Sequence, residues 1–397
     1  MSIVLLCISI VFTLVFPILA IPLNLFGLIF ARGKIRKIYG FLLAFCLAIL
    51  AYIWKPDSLA DLSRHHQQLT VLANYDFSQL GSLIKEHLEP LCYLVMFGVA
   101  QTGDNNLLQF VIVLCGYFEL FWVLCDLASL KNIRKKLFVL LLVFLIASIQ
   151  FLNFASNLWF HFAIIYIVVG VYMYYFRRTK RLQYLFYIIA PCFHIGTLYM
   201  LMPMLLFSNL NVFKKNRLSV AIIVFLASLS LGGIMLALSN FIGEESVVAT
   251  IFSTKYESYF LNDSQYGGLH TGWNLYLPVV NVVLCLLLAL WAYKNKYLEE
   301  YSSFVVYLAV CVLATIINAG VFVRYGFLFA VLALPLVAEF YMNERRKKMR
   351  LAIAVVLLVL TTIQLSRSFR QMESLGLTNS VKNNIANSVF VIMNRST

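Results

Sequence analysis

The stretch KNIRKKLFVLLLVFLIASI, residues 131–149, places four basic residues directly before thirteen residues that carry no charge. The same alternation recurs along the chain of 397 residues, of which 62% are hydrophobic and only 12% are charged. A soluble domain is about half apolar and about a quarter charged. Many of the apolar blocks approach the roughly 17–25 residues that a helix needs to span a bilayer. The sequence therefore predicts an all-α polytopic membrane protein, with residues 1–397 in a single integral membrane domain.

Lysine and arginine mark one side of this predicted membrane protein. Of the 31 basic residues, 22 lie in six clusters: Arg32–Lys37, Lys131–Lys136, Arg177–Arg181, Lys214–Arg217, Lys294–Lys296 and Arg345–Arg350. Short loops rich in Lys and Arg stay in the cytoplasm. We therefore interpret the net charge of +14 as a topology signal rather than as a surface for nucleic acid. If every cluster is cytoplasmic, the crossings between clusters come in even numbers.

This rule predicts about twelve crossings, with a range of 11–13. They are 3–30, 38–54, 107–126, 137–153, 159–176, two short segments within 182–207, 218–241, 273–293, 302–320, 322–341 and 351–366. Pro191 and His194 break the run 182–207, so its two segments meet near His194, and 302–320 and 322–341 form a helical hairpin. Two long outer loops remain, 55–106 and 242–272. In the first loop, apolar residues recur at helical spacing over 77–97, which predicts a helix lying at the membrane interface. The second loop mixes aromatic, glycine and small polar residues, which suits a sugar-binding loop or an ordinary connector.

The first outer loop opens with a polar stretch, KPDSLADLSRHHQQL, at residues 55–69. Asp57 and Asp61 are spaced i,i+4, as are Asp61 and His65, and Arg64 follows Asp61 by three positions. A helix would place all four on one face. Such a face could bind a sugar hydroxyl or remove its proton. It could equally be a solvated helix laced with salt bridges.

Three further positions combine an ionisable group with an apolar setting on the predicted outer side. Arg324 is the only charge in 301–338; it faces a cavity or partner, or snorkels to the interface. Its guanidinium matches phosphate oxygens. His194, in APCFHIGTLYMLMP, is either a neutral core histidine or a base or hydroxyl ligand. Glu89 precedes Pro90, where an acid could also serve as a helix cap.

The cysteines and the N-terminus add exclusions. The eight cysteines lie singly in apolar stretches without a CxxC pair, so neither a disulfide framework nor a metal site is expected. The N-terminus lacks a basic leader and a small-residue cleavage site, so we expect a retained membrane helix rather than a signal peptide.

The order of these motifs resembles the EpsG/Wzy-like polysaccharide polymerases of bacterial envelopes. The resemblance rests on the Asp-rich first loop, the EP pair at Glu89–Pro90, FHIGTLYMLMP around His194 and VRYGFLFAVLALP around Arg324. It covers about residues 50 to 340. It implies a GT-C-like glycosyltransferase in the bacterial inner membrane, with its active face on the periplasmic side.

The resemblance also implies a reaction and a set of roles. A hydroxyl of one undecaprenyl-diphosphate-linked oligosaccharide attacks the anomeric carbon of another, and undecaprenyl diphosphate leaves, which yields O-antigen, capsule or exopolysaccharide. In this scheme the candidate catalytic residues are Asp57, Asp61 and His194, and the candidate substrate and pyrophosphate ligands are Arg324, Arg64, Glu89, His65, His161 and His270. Metal-independent chemistry without a cofactor is expected. The expected partners are the lipid-linked substrates, membrane lipids and a chain-length regulator, with no nucleic acid.

One departure and two alternatives accompany this interpretation. Related proteins commonly carry an Arg near the end of the turn at 153–163, where this chain has Asn153, Asn157 and His161 but no Arg. A flippase or transporter of the same lipid-linked sugar is an alternative, although transporters favour internal repeats and polar groups near the midplane. Another membrane glycosyl- or acyltransferase of envelope glycans is the second alternative.

Replacing Asp57 and Asp61 together by alanine should shorten the surface polysaccharide, because both carboxylates of the predicted catalytic loop are then lost. The measurement is the length distribution of the polymer on a gel, with the amount of protein in the membrane checked beside it. A polymer of normal length would contradict a catalytic role for this loop.

Overall fold

The structure is a computed structural model that describes residues 3–55, 61–198, 273–317 and 319–394, together with scattered positions between 200 and 253. Within these ranges the regular structure is helical throughout. Six helices are long and apolar enough to cross a membrane: Gly33–Ile53, Leu107–Leu130, Leu158–Tyr175, Leu275–Lys294, Phe322–Asn343 and Lys347–Ser374. The prediction of a helical membrane protein is confirmed, whereas the count of twelve crossings is not.

The contacts divide the chain into two compact units, each described by itself below. The first unit comprises Met1–Lys85, Glu89–His194 and Ala352–Thr397. The second comprises Glu86–Leu88 and Ile195–Leu351.

The first unit is built on helices that run between two ends of a bundle. Its N-terminal helices are α1 (Ile3–Val15), α2 (Ala20–Phe30), α3 (Gly33–Ile53), α4 (Asp61–Leu72), α5 (Phe77–His87), α6 (Pro90–Ala100), α7 (Leu107–Leu130), α8 (Lys135–Ile149), α9 (Phe151–Ser156), α10 (Leu158–Tyr175) and α11 (Lys180–Phe193). Helix α3 packs along α7 and α2, and α10 packs along α11 and α7. These packed pairs form the apolar interior of the unit.

The prediction of one long crossing over 3–30 is wrong. The chain forms α1 and α2 with a turn between them, and Pro17 lies in that turn. Proline lacks the backbone N–H that a helix interior needs, and its ring clashes with the preceding turn. Across the break, Asn24 of α2 donates a hydrogen bond of 2.8 Å from Nδ2 to Thr13 Oγ1 of α1.

The helical stretch predicted over 77–97 is divided into two helices, and its placement at the membrane interface stays a prediction. Helix α5 ends at His87 and α6 begins at Pro90. Leu88 between them has a φ of 56°, in the left-handed region that interrupts a helix. Pro90 stands at the start of α6, where its missing N–H leaves no helical hydrogen bond unmade.

At one end of the first unit, a buried carboxylate joins three helices. Asp126 of α7 is 1% exposed and accepts hydrogen bonds from Lys37 Nζ at 2.7 Å, Tyr172 OH at 2.6 Å and Arg177 Nε at 2.7 Å. We call this the basic end; it comprises the start of α3 and the ends of α7 and α10. A buried carboxylate is tolerated when it is both paired and hydrogen-bonded, as here.

The C-terminal segment packs at the opposite end of α3. Helix α15 spans Lys347–Ser374 and is followed by α16 (Leu377–Asn384) and α17 (Val389–Asn394). Trp54 donates from Nε1 to the Leu375 carbonyl at 3.1 Å. Val389 and Ile392 form an apolar cluster with Ile49 and Tyr52. We call this the loop end of the first unit.

The second unit contains the predicted helical hairpin. Its described helices are α12 (Trp273–Lys294), α13 (Glu299–Ala314) and α14 (Ala319–Asn343), preceded by a 3₁₀ turn at Ile195–Thr197. Helix α12 packs along both α13 and α14. At one crossing of α12 and α14 the backbones approach closely, since a Cβ added at Gly326 would lie 2.6 Å from the Pro278 Cβ. Only glycine fits there without movement of the helices.

Replacing Gly326 by alanine should lower the midpoint of thermal unfolding in detergent. The added methyl group overpacks the α12–α14 contact, which costs about 1–3 kcal/mol. Gly98 of α6 is the matched control, because a Cβ there meets nothing within 4 Å. Gly98→Ala should leave the midpoint unchanged or raise it, since alanine favours helix. Equal midpoints for the two variants would contradict the close approach.

Candidate functional site

The polar face predicted in the first outer loop lies on α4. Asp61 begins this helix and pairs with Arg64 at 3.1 Å between Oδ1 and Nη2. The side chains are 41% and 65% exposed, respectively, so the pair contributes little to stability. Both groups therefore remain accessible to a ligand. Asp57 lies outside the described residues.

The two neighbouring histidines of α4 point to different partners. His65 Nδ1 lies 3.0 Å from Gln68 Oε1 on the same helix, and its ring meets Trp159 of α10 edge-on at 6.2 Å between centroids. His66 Nε2 lies 2.8 Å from Gln109 Oε1 of α7. Burial lowers the pKa of both imidazoles below the ordinary value, so both are neutral near pH 7.

An aromatic cluster of Trp159, Phe160 and Phe193 brings three of the predicted histidines into one region. Trp159 stacks on Phe193 at 6.0 Å between ring centroids. Phe160 contacts His194 edge-on at 5.3 Å and His161 at 6.0 Å. With the contact of His65 to Trp159, the structure places His65, His161 and His194 around the same three rings. Trp159 Nε1 is buried without a hydrogen-bond partner among the described residues.

His161, His194 and Glu89 occupy the ends of helices. His161 Nδ1 donates to the Asn157 carbonyl at 2.9 Å, one turn earlier in the chain. His194 ends α11 in an extended conformation, at the break that the sequence predicts. Glu89 occupies the N-cap position of α6, but its side chain makes no capping hydrogen bond. Glu89 thus lies where the helix dipole favours an acid, without a capping hydrogen bond, and a ligand role stays a prediction.

Arg324 lies in the second unit, on the second turn of α14, and is partly buried. The next residue, Tyr325, donates a hydrogen bond from its hydroxyl to the carbonyl oxygen of Gly196. Gly196 belongs to the FHIG motif and follows His194 by two positions. The two sequence motifs, FHIG and VRYG, are thus joined directly by one hydrogen bond. The group on α4 belongs to the first unit.

Helix α15 supplies a cation that the sequence prediction missed. The predicted helix stops at 366, whereas α15 continues to Ser374. Gln364 Oε1 accepts from Ser148 Oγ at 3.1 Å, and Gln371 Nε2 donates to Asn153 Oδ1 at 3.5 Å. Arg367 is partly buried and lies between these two glutamines, on the same face of the helix. Arg367 thus lies on the face of α15 that contacts α8 and α9. These helices lead into the turn at 153–163, where related proteins commonly carry an Arg and this chain does not.

Sequence reasoning also missed the polar groups that hold the loop end together. Gln109, on the first turn of α7, is fully buried, and its partner His66 was not selected as a site residue. Asp104 accepts hydrogen bonds from the Tyr52 hydroxyl and from the Asn106 backbone N–H. The only signal in the sequence is a single amide within an otherwise apolar helical start, which does not name its partner.

Two predictions concern residues or groups that the structure does not place. His270 and nearly all of the second outer loop, 242–272, lie outside the described residues. Within the described ranges, no three His, Cys, Asp or Glu side chains are arranged to hold a metal ion. The metal independence of the chemistry stays a prediction.

Comparison with known families decides the relationship. The model of the EpsG family matches residues 65–381, well over half of the chain. The chain belongs to the EpsG family. Neither a curated protein nor a solved structure matches it significantly.

The matched region differs in extent from the resemblance of about residues 50 to 340. It contains Glu89, His161, His194 and Arg324, and it extends through α15 to include Arg367. It begins immediately after Arg64, so Asp57, Asp61 and Arg64 precede it. The matched region therefore includes the four candidate histidines and Arg324 and leaves out the acidic pair, Asp57 and Asp61.

Acidification should destabilise the first unit through His65. Because the folded pKa lies below the unfolded value of about 6.5, the unfolded chain takes up a proton that the folded chain resists as the pH falls below 6.5. The midpoint temperature of thermal unfolding should therefore be lower at pH 5.5 than at pH 7.5. In His65→Asn, where an amide replaces the Nδ1–H donor without titrating, this fall should be smaller.

The exposed His87 on α5 provides the matched control. His87→Asn should retain the fall seen in the wild type. If His65→Asn also retained it in full, the burial of His65 would not contribute to the pH dependence of stability.

Proposed function

We propose that this EpsG-family protein is a membrane glycosyltransferase that polymerises lipid-linked oligosaccharide repeat units into an envelope polysaccharide. Its substrates are undecaprenyl-diphosphate-linked oligosaccharides, and undecaprenyl diphosphate is the leaving group. The product is an O-antigen, a capsule or an exopolysaccharide. The protein acts with a GT-C-like architecture in the bacterial inner membrane, and its loop end faces the periplasm. A chain-length regulator is the expected protein partner.

The observation that carries this proposal is the gathering of ionisable groups at the loop end of a family member. His65, His161 and His194 surround the aromatic cluster, and the exposed Asp61–Arg64 pair lies on the same helix as His65. At the basic end, by contrast, the Asp126 carboxylate is already hydrogen-bonded to three side chains. Groups that can exchange protons with a sugar hydroxyl thus lie at the loop end. The basic end, where Lys and Arg set the topology, is at the opposite side of the bundle.

The proposed roles follow from the charge that develops in the reaction. Departure of a diphosphate places negative charge on the leaving oxygen, and a preorganised guanidinium stabilises such charge. Arg324 is the first candidate, because the two residues that follow it are fixed in place. Tyr325 is held by its hydrogen bond to Gly196, and Gly326 by its contact with Pro278. In the first unit, Arg367 and the exposed Arg64 are further candidates.

The remaining candidate ligands contact the sugars in this scheme. Asp57, Asp61 and His194 would bind a sugar hydroxyl or remove its proton. The residues that would complete the substrate site are Glu89, His65, His161 and His270. Trp159 could donate a hydrogen bond from Nε1 to a sugar hydroxyl oxygen once the ring turns toward it. Among the described residues this N–H is buried without a partner, so a new acceptor would remove the cost of leaving it unbonded. No cofactor is part of this scheme.

Arg324→Ala should abolish the polysaccharide ladder while leaving single repeat units on the surface. The experiment complements a bacterial strain that lacks the gene, and it compares wild type, Arg324→Ala and Arg324→Lys on a gel of surface polysaccharide. Lysine cannot present a bidentate fork, so Arg324→Lys should restore only part of the ladder. The matched control is Arg181→Ala, an exposed arginine at the basic end.

The pattern of the deletion strain distinguishes the proposed function from its alternatives. Loss of the ladder with retention of the single repeat means that export works and polymerisation has failed. Loss of the single repeat as well would favour a flippase or an earlier transferase. A ladder unchanged by deletion would overturn the proposal.

A further inference from the structure

One buried amide fixes the hydrogen-bonding state of His66. Gln109 donates from Nε2 to the backbone carbonyls of Ala51 at 3.1 Å and Trp54 at 3.2 Å. A carbonyl oxygen can only accept, so the nitrogen of the Gln109 amide must face these two groups. The other amide atom, Oε1, therefore faces His66.

This orientation decides which imidazole nitrogen carries the proton. Gln109 Oε1 has no hydrogen to donate, so His66 Nε2, 2.8 Å away, must be the donor. In a neutral imidazole the other nitrogen then holds a lone pair. Within the described ranges no hydrogen bond engages His66 Nδ1, and the ring is only partly buried. The arrangement therefore presents a proton acceptor at the loop end.

The surroundings keep this imidazole neutral yet able to accept a proton. Asp104, in the turn before α7, is the charged residue that acts on His66 from another element, and it favours the imidazolium. Tyr52 OH is bonded to that same carboxylate. On its own helix, His66 has the ionisable neighbours Asp61, Arg64 and His65. Of the other helices that contact α4, α6 carries only Cys92 and Tyr93 as titratable residues and α9 carries none. Helix α10, which contacts α4 through Trp159, carries His161 on its first turn.

We infer that His66 is the general base of the transfer reaction and that Gln109 is the positioning residue that holds its tautomer. This inference rests on the proposed function and names a residue that neither the motifs nor the resemblance selects. A buried amide oriented by two backbone carbonyls positions an imidazole much as a carboxylate orients the histidine of a hydrolytic triad. It does so without adding a charge to the site.

The step balances as follows. The lone pair on His66 Nδ1 takes the proton of the acceptor hydroxyl, and the hydroxyl oxygen forms a bond to the anomeric carbon of the donor. The bond from that carbon to the phosphate oxygen breaks, and its electron pair leaves with the diphosphate. The imidazolium then releases its proton to solvent at the loop end. Asp61 keeps a hydroxyl-binding role in this scheme, since it is already paired with Arg64.

The test distinguishes a general-base role of His66 from a purely structural role as a hydrogen bond between α4 and α7. In His66→Gln, the side-chain amide can still donate to Gln109 Oε1, but it has no basic nitrogen. The measurement is polymer formation by the purified full chain in detergent or liposomes, from a lipid-linked repeat unit. Turnover in His66→Gln should fall about 100-fold or more, within the range that a general base contributes, and the thermal midpoint should stay near that of the wild type.

Three further variants complete the design. In His66→Ala, exogenous imidazole should restore part of the turnover, increasingly so at higher pH as more of the added imidazole is neutral. Gln67→Ala, an exposed neighbour on the same helix, should behave as wild type. Gln109→Leu should lower turnover and shift the lower limb of the pH profile, because the tautomer of His66 is then no longer fixed.

The outcomes distinguish this inference from the proposed function. If the wild type polymerises and His66→Gln keeps its turnover, His66 only ties the helices and the inference is overturned. Loss of turnover in His66→Ala without rescue by imidazole, together with full activity in His66→Gln, leads to the same conclusion. If the wild type itself forms no polymer from lipid-linked repeats, the proposed function fails first.

Discussion

The bonds of Asp126 set the arrangement on which the first unit depends. One carboxylate with a 1% exposed side chain receives Lys37 from α3 and both Tyr172 and Arg177 from the end of α10. Removing one partner from such a group leaves an uncompensated buried charge, which costs several kcal/mol, on the order of 3–5. The carboxylate therefore fixes the start of α3 and the ends of α7 and α10 next to one another. The opposite ends of these helices are thereby brought to the loop end together.

Basic residues in this protein have two roles that sequence reasoning did not separate. The six clusters indicate topology, yet Lys37 and Arg177 from two of them also neutralise Asp126. At the same end Arg36 lies over the Phe138 ring at 4.2 Å and Lys135 over the Phe30 ring at 3.0 Å. Cations over aromatic faces gain more when they are partly desolvated. Positive charge on this side is therefore also part of the packing between helices.

Hydropathy and basic clusters were sufficient to predict most of the long helices, because length and apolar composition are local properties. The crossings at 38–54, 107–126 and 159–176 correspond to α3, α7 and α10, and the break at His194 is found where Pro191 and the polar residue indicated it. Interruptions set by single residues were missed. Gln150, with a φ of 49°, separates α8 from α9, and nothing in its side chain requires a left-handed conformation.

The site was less predictable, because its partners are distant along the chain. Spacing on one helix correctly placed Asp61, Arg64 and His65 together on α4. It could not show that His66 meets Gln109, 43 positions later, or that Arg367 lies beside the strained turn at Gln150 through its neighbours Gln364 and Gln371. Spacing from Asp61 favours His65 of the histidine pair and gives no reason to select His66. Only the buried amide distinguishes them.

Helix α7 connects these observations, since it carries a polar contact at three levels. Gln109 at its start binds His66 and the end of α3, and Asp126 near its end binds α3 and α10. The 17 positions that separate them along the chain correspond to about 26 Å of helix. Glu119, between the two, shares a hydrogen bond with Tyr166 of α10. In a bilayer the hydrophobic effect does not drive helices together, so packing and polar contacts of this kind must do so. Polar contacts of α7 therefore assemble the bundle at the basic end and orient an imidazole at the loop end. At the loop end the contact is made by the Gln109 amide, which accepts a hydrogen bond from His66 and carries no charge of its own.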